Sequence, residues 1–179
     1  LNAFLPNVTG KAAYEELERR LAKGLGKHFH SIYVGNIGQI HLMQNHGYRN
    51  LMGDLGLNVF NLHTAEWLLD RGLGRVTVSA ELNEEEIKYF SDYMPCHMEL
   101  VVYGRIPLMT MAFCPLGGSG ACGKQVKADC GFQRIPVYLV DRIEKQYPIL
   151  FNSFDCGTSI LNADRLWIVH DKPVGCNRL

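Results

Sequence analysis

The sequence carries no excess of charge of either sign and has no long apolar run. Its 179 residues include 18 Lys and Arg against 18 Asp and Glu. No overall field therefore gathers nucleic acid or an anionic membrane, and any contact with RNA has to be local. No apolar segment approaches the roughly 20 residues of a membrane-spanning helix, and the first residues do not resemble a signal peptide. We expect a cytoplasmic protein that makes no membrane contact.

The motifs of two common peptidase classes are also absent. The sequence contains neither His-Glu-x-x-His, which binds zinc in metallopeptidases, nor Gly-x-Ser-x-Gly, which presents a nucleophilic serine. Its six cysteines do not form zinc knuckles, in which about two to four residues separate paired ligands. Without a secretory signal, cysteines are expected to be reduced and to serve metal or catalytic roles rather than form disulfides.

What the sequence does contain is an alternation of helical and strand patterns. Thr9 and Thr64 are predicted N-caps, and Asn83 with Glu86 forms a predicted capping box. Helices are predicted over residues 11–25, 37–46, 65–71 and 84–93. Strands are predicted over residues 31–34, 57–60, 75–79 and 98–103. Such alternation is typical of βαβ units, so we expect these four strands to lie parallel and adjacent.

The predicted strands begin about 20 to 25 residues apart, the spacing of (β/α) barrel repeats, and a full barrel needs roughly 250 residues. We therefore predict the α/β class, with a partial (β/α) TIM-type barrel over residues 1–112. The chain opens on Leu1 in mid-pattern, and we expect a fragment of a longer protein. Because a half barrel leaves two open sheet edges, we also expect self-association or a missing N-terminal barrel half.

From residue 113 the composition changes. Glycine and cysteine cluster between Cys114 and Cys122, and β-like stretches at 135–140 and 147–151 flank a predicted turn at 142–145. Residues 113–179 are therefore predicted to form a small Cys-rich tail of loops and a β-hairpin, packed on the barrel.

Four cysteines of this tail, Cys114, Cys122, Cys130 and Cys156, are candidate metal ligands. An iron–sulfur cluster takes four thiolates from loops, and nearby glycines let backbone N–H groups approach the sulfurs. A zinc site takes the same ligands, and buried packing thiols are a third interpretation, since free cysteine is among the most buried residue types. The spacing does not decide between the three.

The ends of the predicted strands supply candidate catalytic residues, because barrel enzymes place their chemistry at the carboxyl ends of their strands. His63, Glu81, Tyr103 and Arg105 occupy such positions. Together they could orient an anionic or heterocyclic substrate and transfer protons. Two of these residues also have a structural interpretation: His63 could cap its helix, and Glu81 could pair with Arg105.

Several segments carry a family resemblance, in order along the chain. They include Gly35-Asn-Ile-Gly38, Glu81-Leu-Asn83, Val102-Tyr-Gly-Arg-Ile-Pro-Leu-Met109, Cys114-Pro-Leu-Gly117 and Tyr138-Leu-Val-Asp-Arg142. Together they resemble the later half of the barrel domain, and the tail, of the peptidase U32 (collagenase-like) family. The combination of Tyr-Gly-Arg-Ile-Pro-Leu-Met with a following Cys-Pro is the most specific element.

The resemblance implies an enzyme. Some members of the family are named for collagenase-like proteolysis, whereas others hydroxylate RNA bases or quinone precursors and carry a four-cysteine iron–sulfur cluster. It thus implies a 4Fe–4S cluster on Cys114, Cys122, Cys130 and Cys156, and RNA or a small molecule as substrate. The alternative to an enzyme is a non-catalytic scaffold module that binds an iron–sulfur cluster or zinc.

Overall fold

The structure, a computed structural model, describes residues 1–118, 136–151, 157–164 and 166–167. The described residues fall into two compact units. The first consists of Leu1–Thr9 with Tyr14–Val102, and the second of Gly10–Ala13 with the described part of Tyr103–Trp167. The chain is mixed α/β, with a parallel sheet in the first unit and an antiparallel sheet in the second.

The first unit is built on a five-stranded parallel sheet. Its strands lie side by side in chain order, and each pairs in parallel with the next. They are β1 (Asn2–Phe4), β2 (Ser31–Val34), β3 (Leu51–Gly53), β4 (Leu73–Thr77) and β5 (Met98–Glu99). A single parallel bridge between Val59 and Val78 extends the sheet beyond β4.

Helices connect successive strands, as parallel pairing requires. They are α1 (Lys11–Ala22), α2 (Ile37–Asn45), α3 (Leu62–Asp70) and α4 (Glu84–Tyr93), with short 3₁₀ turns at Leu25–His28 and Leu55–Leu57. The predicted capping box is confirmed, since the Asn83 side chain accepts from the Glu86 N–H and the Glu86 side chain accepts from the Asn83 N–H. In the part of the chain that the structure describes, no helix is long and apolar enough to cross a membrane.

The hydrophobic core lies on one side of this sheet. Apolar side chains from all four helices, among them Leu21, Met43, Leu68 and Phe90, form one buried cluster with strand residues. The strand members share one face of the sheet, because register pairs join them across neighbouring strands, with a register shift between Leu51 and Met52. They are Ile32, Val34, Leu51, Leu73, Val76 and Met98. The helices therefore cover this face and bury it.

Some predicted elements are wrong in place or extent. Residues 57–60 do not form a strand, because Leu57 ends a 3₁₀ turn and Asn58 has a left-handed backbone with φ of 49°. The sheet takes β3 in that place, between β2 and β4, and its strands are parallel as predicted. The predicted strand at 98–103 divides into β5 and a separate β6 (Tyr103–Gly104).

One of the predicted N-caps, Thr64, is also wrong. Helix α3 begins earlier than predicted, since Asn61 is its N-cap and accepts a 2.9 Å hydrogen bond from the Thr64 N–H. Thr9 lies two residues before α1, and its hydroxyl donates to the carbonyl of Pro6 over 3.3 Å. Asparagine and threonine both favour caps, so residue type alone does not choose between neighbouring candidates.

The second unit contains a four-stranded antiparallel sheet in the order β7-β10-β9-β8. Its strands are β7 (Pro107–Met111), β8 (Val137–Val140), β9 (Gln146–Phe151) and β10 (Thr158–Leu161), with a short helix α5 (Pro115–Gly118). The predicted hairpin is confirmed, because β8 and β9 pair antiparallel across a turn where Asp141 accepts from the N–H groups of Ile143 and Lys145. A further short strand, β11 (Leu166–Trp167), pairs with β6.

Candidate functional site on the polar face of the parallel sheet

The face of the parallel sheet opposite the helices carries polar side chains. Register pairs align these side chains across neighbouring strands. Thr77 lies two residues after Arg75 on β4, so the two side chains are on the same side of the sheet, and Thr77 pairs with Glu99 of β5. We call this row the polar face. Its members are Phe4, Tyr33, Met52, Arg75, Thr77 and Glu99.

Glu99 is the centre of this face. It is only 4% exposed, and its Oε1 accepts a 2.9 Å hydrogen bond from the Tyr33 hydroxyl. The guanidinium of Arg75 lies 3.8 Å from the same oxygen, at ion-pair distance. The Phe4 ring stacks on Tyr33 with centroids 4.4 Å apart. A carboxylate, a phenol and a guanidinium therefore meet on one wall, a set that can bind a polar substrate and transfer protons.

The Glu99 carboxylate is not fully satisfied. Within the described residues, its Oε2 and the Thr77 hydroxyl are buried side-chain atoms that lack a hydrogen-bond partner. Burying an unpaired polar atom costs about 1–3 kcal/mol, and more when the group is charged. Unpartnered buried groups are rare in native proteins and often mark functional positions.

The carboxyl edge of the same sheet is held by a second polar network around Gln39. This side chain, 1% exposed, accepts from the Gly35 N–H over 2.8 Å and donates to the Pro6 carbonyl over 2.7 Å. Asn36 caps α2 and donates to the Asn7 carbonyl over 3.1 Å. The segment after β1 is thereby tied to the segment after β2.

Two glycines let this edge close tightly around Asn7. A Cβ at Gly35 would lie 1.9 Å from the Asn7 Oδ1, and a Cβ at Gly56 would lie 2.5 Å from the Gly35 carbonyl oxygen. Neither distance accommodates a side chain. The edge where parallel sheets place their chemistry is therefore closely packed here.

Two residues predicted as catalytic from strand ends lie on the surface of the first unit. His63 is the second residue of α3, its side chain is 97% exposed, and its Nδ1 lies 3.7 Å from a carboxylate oxygen of Glu66. Glu81 is exposed and donates its backbone N–H to the Ser79 hydroxyl over 3.3 Å. Neither belongs to the polar face.

The other two belong to the second unit. Tyr103 is in β6 and is about half exposed. Arg105 is exposed, and its guanidinium donates to the backbone carbonyls of Asn162 and Ala163. Arg105 thus fastens the segment after β10 through its hydrogen bonds.

Arg105 also acts on a neighbouring ion pair. The hydrogen bond and charge of Lys145, 2.7 Å away, hold the pKa of Asp164 below its ordinary value, and the charge of Arg105 adds a smaller effect. The Lys145→Gln substitution should therefore raise the pKa of Asp164 more than Arg105→Gln does. Carboxyl chemical shifts followed by NMR during an acid titration measure both changes. Equal shifts in the two variants would contradict this ranking.

Of the predicted cluster ligands, Cys114 alone lies in the described part of the chain. It is half-buried, forms no disulfide and precedes α5. Cys122, Cys130 and Cys156 lie outside the described residues, so their predicted convergence stays a prediction. Among the residues described, no group of three or more His, Cys, Asp or Glu side chains is placed to hold a metal ion.

Sequence reasoning missed Tyr33, Arg75 and Glu99. A signal was present, since each is a large polar or polar-tipped residue in a predicted strand and alternates with apolar neighbours. Period-two alternation of this kind indicates a strand with two different faces. The strand-end rule instead directed attention to residues beyond the strands.

Comparison with known proteins adds no relative: no family model, curated protein or solved structure matches the chain.

Proposed function

We propose that the chain is part of a (β/α)-barrel enzyme related to the peptidase U32 family. The strand order supports a barrel wall: five parallel strands follow chain order, with helices packed on one face. In a doubly wound sheet the strand order reverses at a switch point and helices cover both faces. The observation that carries the proposal is the opposite face, where the buried Glu99 contacts the buried Tyr33 and the partly exposed Arg75.

The chemistry of this face favours hydroxylation of a small organic group, an RNA base or a quinone precursor, over peptide hydrolysis. Hydrolysis of a peptide needs an activated nucleophile or a metal-bound water. The polar face offers instead an acceptor in Glu99, a proton donor in Tyr33 and a fixed positive charge in Arg75. These groups bind and orient a polar ring and hold a proton at the Tyr33 hydroxyl.

The resemblance assigns the redox part of such a reaction to a 4Fe–4S cluster on Cys114, Cys122, Cys130 and Cys156. The donor set fits, because such clusters take four thiolates, and the Cys114 thiol is not consumed in a disulfide. When bound, the cluster would supply one-electron transfer. Conversion of C–H to C–OH is a two-electron oxidation, so the reaction also takes an oxygen-donating co-substrate that supplies the oxygen atom and accepts the two electrons. The residues of the polar face would hold the substrate.

Metal analysis of protein purified without oxygen tests this proposal. We expect about four iron and four sulfide ions per chain in the unaltered protein, and less than one of each after Cys122→Ser. Cys96→Ser is the matched control, because Cys96 is exposed and lies outside the predicted ligand set. It should retain the iron of the unaltered protein.

Three outcomes would contradict the proposal. Zinc in place of iron would favour the non-catalytic scaffold module, and absence of both metals would make the cysteines packing residues. An iron-loaded protein that adds no oxygen atom to total RNA or to phenolic quinone precursors, as judged by mass spectrometry, would overturn the hydroxylase assignment.

A further inference from the structure

The amino edge of the parallel sheet, where each helix of the first unit ends and the next strand begins, concentrates positive charge. We call the surface formed by these segments the basic edge. The segments are residues 23–30, 46–50, 71–72 and 94–97. Together they contain four Lys or Arg, four His and no Asp or Glu.

The connections at the carboxyl edge of the same sheet have the opposite character. They are residues 5–10, 35–36, 54–61 and 78–83. These segments contain Asp54 and Glu81 and no Lys, Arg or His. Charge that balances over the whole chain is therefore separated between two edges of one sheet, and the basic edge has a local field that the net charge conceals.

Hydrogen bonds hold neighbouring segments of the basic edge together. The Asn50 side chain donates to the His30 carbonyl. The Arg49 guanidinium donates to the Gln44 carbonyl over 3.0 Å, and the Gln44 amide donates to the Arg71 carbonyl over 2.6 Å. The cations of three successive connections thus lie on one continuous surface.

The charge of this surface is open to solvent. Lys27, Arg49 and Arg71 are exposed, and none of them forms an ion pair with a described residue. The last turns of the four helices add two carboxylates, of which Asp92 is held in an ion pair within α4 and Asp70 remains. Three uncompensated cations on one edge suit a polyanion.

Stabilisation of helix ends accounts for only part of this pattern. A cation near the carboxyl end of a helix is favoured by the helix dipole, and Arg49 and Arg71 each donate one N–H to a carbonyl of a helix that ends beside them. A guanidinium has five N–H groups, so both keep donors for another acceptor. Lys27 lies beyond the last turn of α1, where the dipole effect has fallen off.

An aromatic surface adjoins this charge. The Arg71 guanidinium lies over the Trp67 ring, with Cζ 3.3 Å from the ring centroid, and Trp67 is 39% exposed. Unpaired nucleic-acid bases stack on aromatic rings and on guanidinium planes. A membrane surface or an acidic peptide would use the charge but not the stack. The combination favours a strand that carries both phosphates and unpaired bases.

We propose that the basic edge binds single-stranded nucleic acid. Lys27, Arg49 and Arg71 contact successive phosphates, and one base stacks on the pair formed by Arg71 and Trp67. The inference does not depend on the proposed function, because binding at this edge requires neither the cluster nor the polar face.

Fluorescence anisotropy of the full chain with labelled oligouridylate and oligothymidylate tests the proposal. About ten nucleotides suffice, because five strands about 4.8 Å apart span about 19 Å and each nucleotide covers about 3.4 Å or more. We expect both strands to bind, the tighter one distinguishing RNA from DNA. The logarithm of the binding constant should fall with the logarithm of salt concentration at a slope of about −2, roughly −0.7 for each of three contacts.

Variants locate the binding on the sheet. The triple variant Lys27→Gln, Arg49→Gln and Arg71→Gln should bind roughly a hundredfold more weakly at about 0.1 M salt, about fivefold for each lost contact, and its salt slope should approach zero. The matched control removes three exposed cations from other places and should bind as the unaltered chain does. Its changes are Lys11→Gln, Lys88→Gln and Arg142→Gln. Circular dichroism checks the folding of both, and Lys27→Gln alone should weaken binding about fivefold if the triple variant is unfolded.

The contribution of the bases is measured separately. A strand of the same length without bases should bind about fivefold or more weakly than oligothymidylate, since stacking of one base is lost. A duplex of the same length should also bind more weakly, because its bases are already stacked on each other.

Several results would overturn the inference. They are equal binding of the abasic strand or the duplex, equal weakening by the triple variant and its control, and binding to vesicles of phosphatidylserine without binding to either oligonucleotide. Absence of binding to both oligonucleotides at low salt would leave the cations as helix-end and solvent-facing residues. An iron-free chain that binds the oligonucleotide would contradict the hydroxylase proposal and support this one.

Discussion

Replacing Phe90 with Ala is expected to lower the free energy of unfolding by about 3–5 kcal/mol, the range for a fully buried aromatic side chain. Phe90 lies on α4, is 2% exposed and belongs to the cluster that joins the helices to the parallel sheet. Its removal leaves a cavity that close-packed neighbours fill only in part. Urea denaturation followed by circular dichroism measures the change.

Tyr89→Ala is the matched control, because Tyr89 is the preceding residue of the same helix and is 51% exposed. Its ring contacts Tyr93 with centroids 4.6 Å apart, so a loss of about 1 kcal/mol is expected. Similar losses in the two variants would contradict a core on the helix side of the sheet. The helix-covered face of the sheet would then not differ from the polar face in its apolar packing.

The helices of the first unit were largely predictable from sequence. Helix α4 shows why: an apolar periodicity over its length and a capping box at Asn83 act together, and both are local. Helix α2 was likewise predicted to within one residue. The strands were harder, because β3 has only three residues and cannot display a period. The segment 57–60 resembled a strand, but Asn58 has a left-handed backbone there.

The polar face could not be derived from sequence, because its contacts depend on strand register. The hydrogen bond between Tyr33 and Glu99 joins residues 66 positions apart. Each residue alternates with apolar neighbours in its own segment, which indicates a two-faced strand, but their meeting depends on the strands placed between them. The strand-end rule pointed instead to side chains that face solvent, such as His63, which is 97% exposed on α3.

The second large expected effect concerns Gln39→Met. The two side chains have similar volume, so the core keeps its packing while Gly35 N–H and the Pro6 carbonyl lose their partners. The buried Gly35 N–H left unsatisfied costs about 1–3 kcal/mol, and the lost hydrogen bond to the exposed Pro6 costs about 1 kcal/mol, so we expect a total loss of about 2–4 kcal/mol in the free energy of unfolding. Urea denaturation measures it.

Gln44→Met, on the same helix, is the control that measures the general effect of replacing a glutamine with methionine on stability. The Gln44 amide makes an exposed hydrogen bond to the Arg71 carbonyl, where water can replace it, so its loss should cost about 1 kcal/mol or less. The Gln39 variant should in addition show faster amide hydrogen exchange in residues 5–9 and 35–39, because the tie between the segments after β1 and β2 is cut. Unchanged exchange there, with equal stability of the two variants, would mean that Gln39 does not hold the carboxyl edge of the sheet.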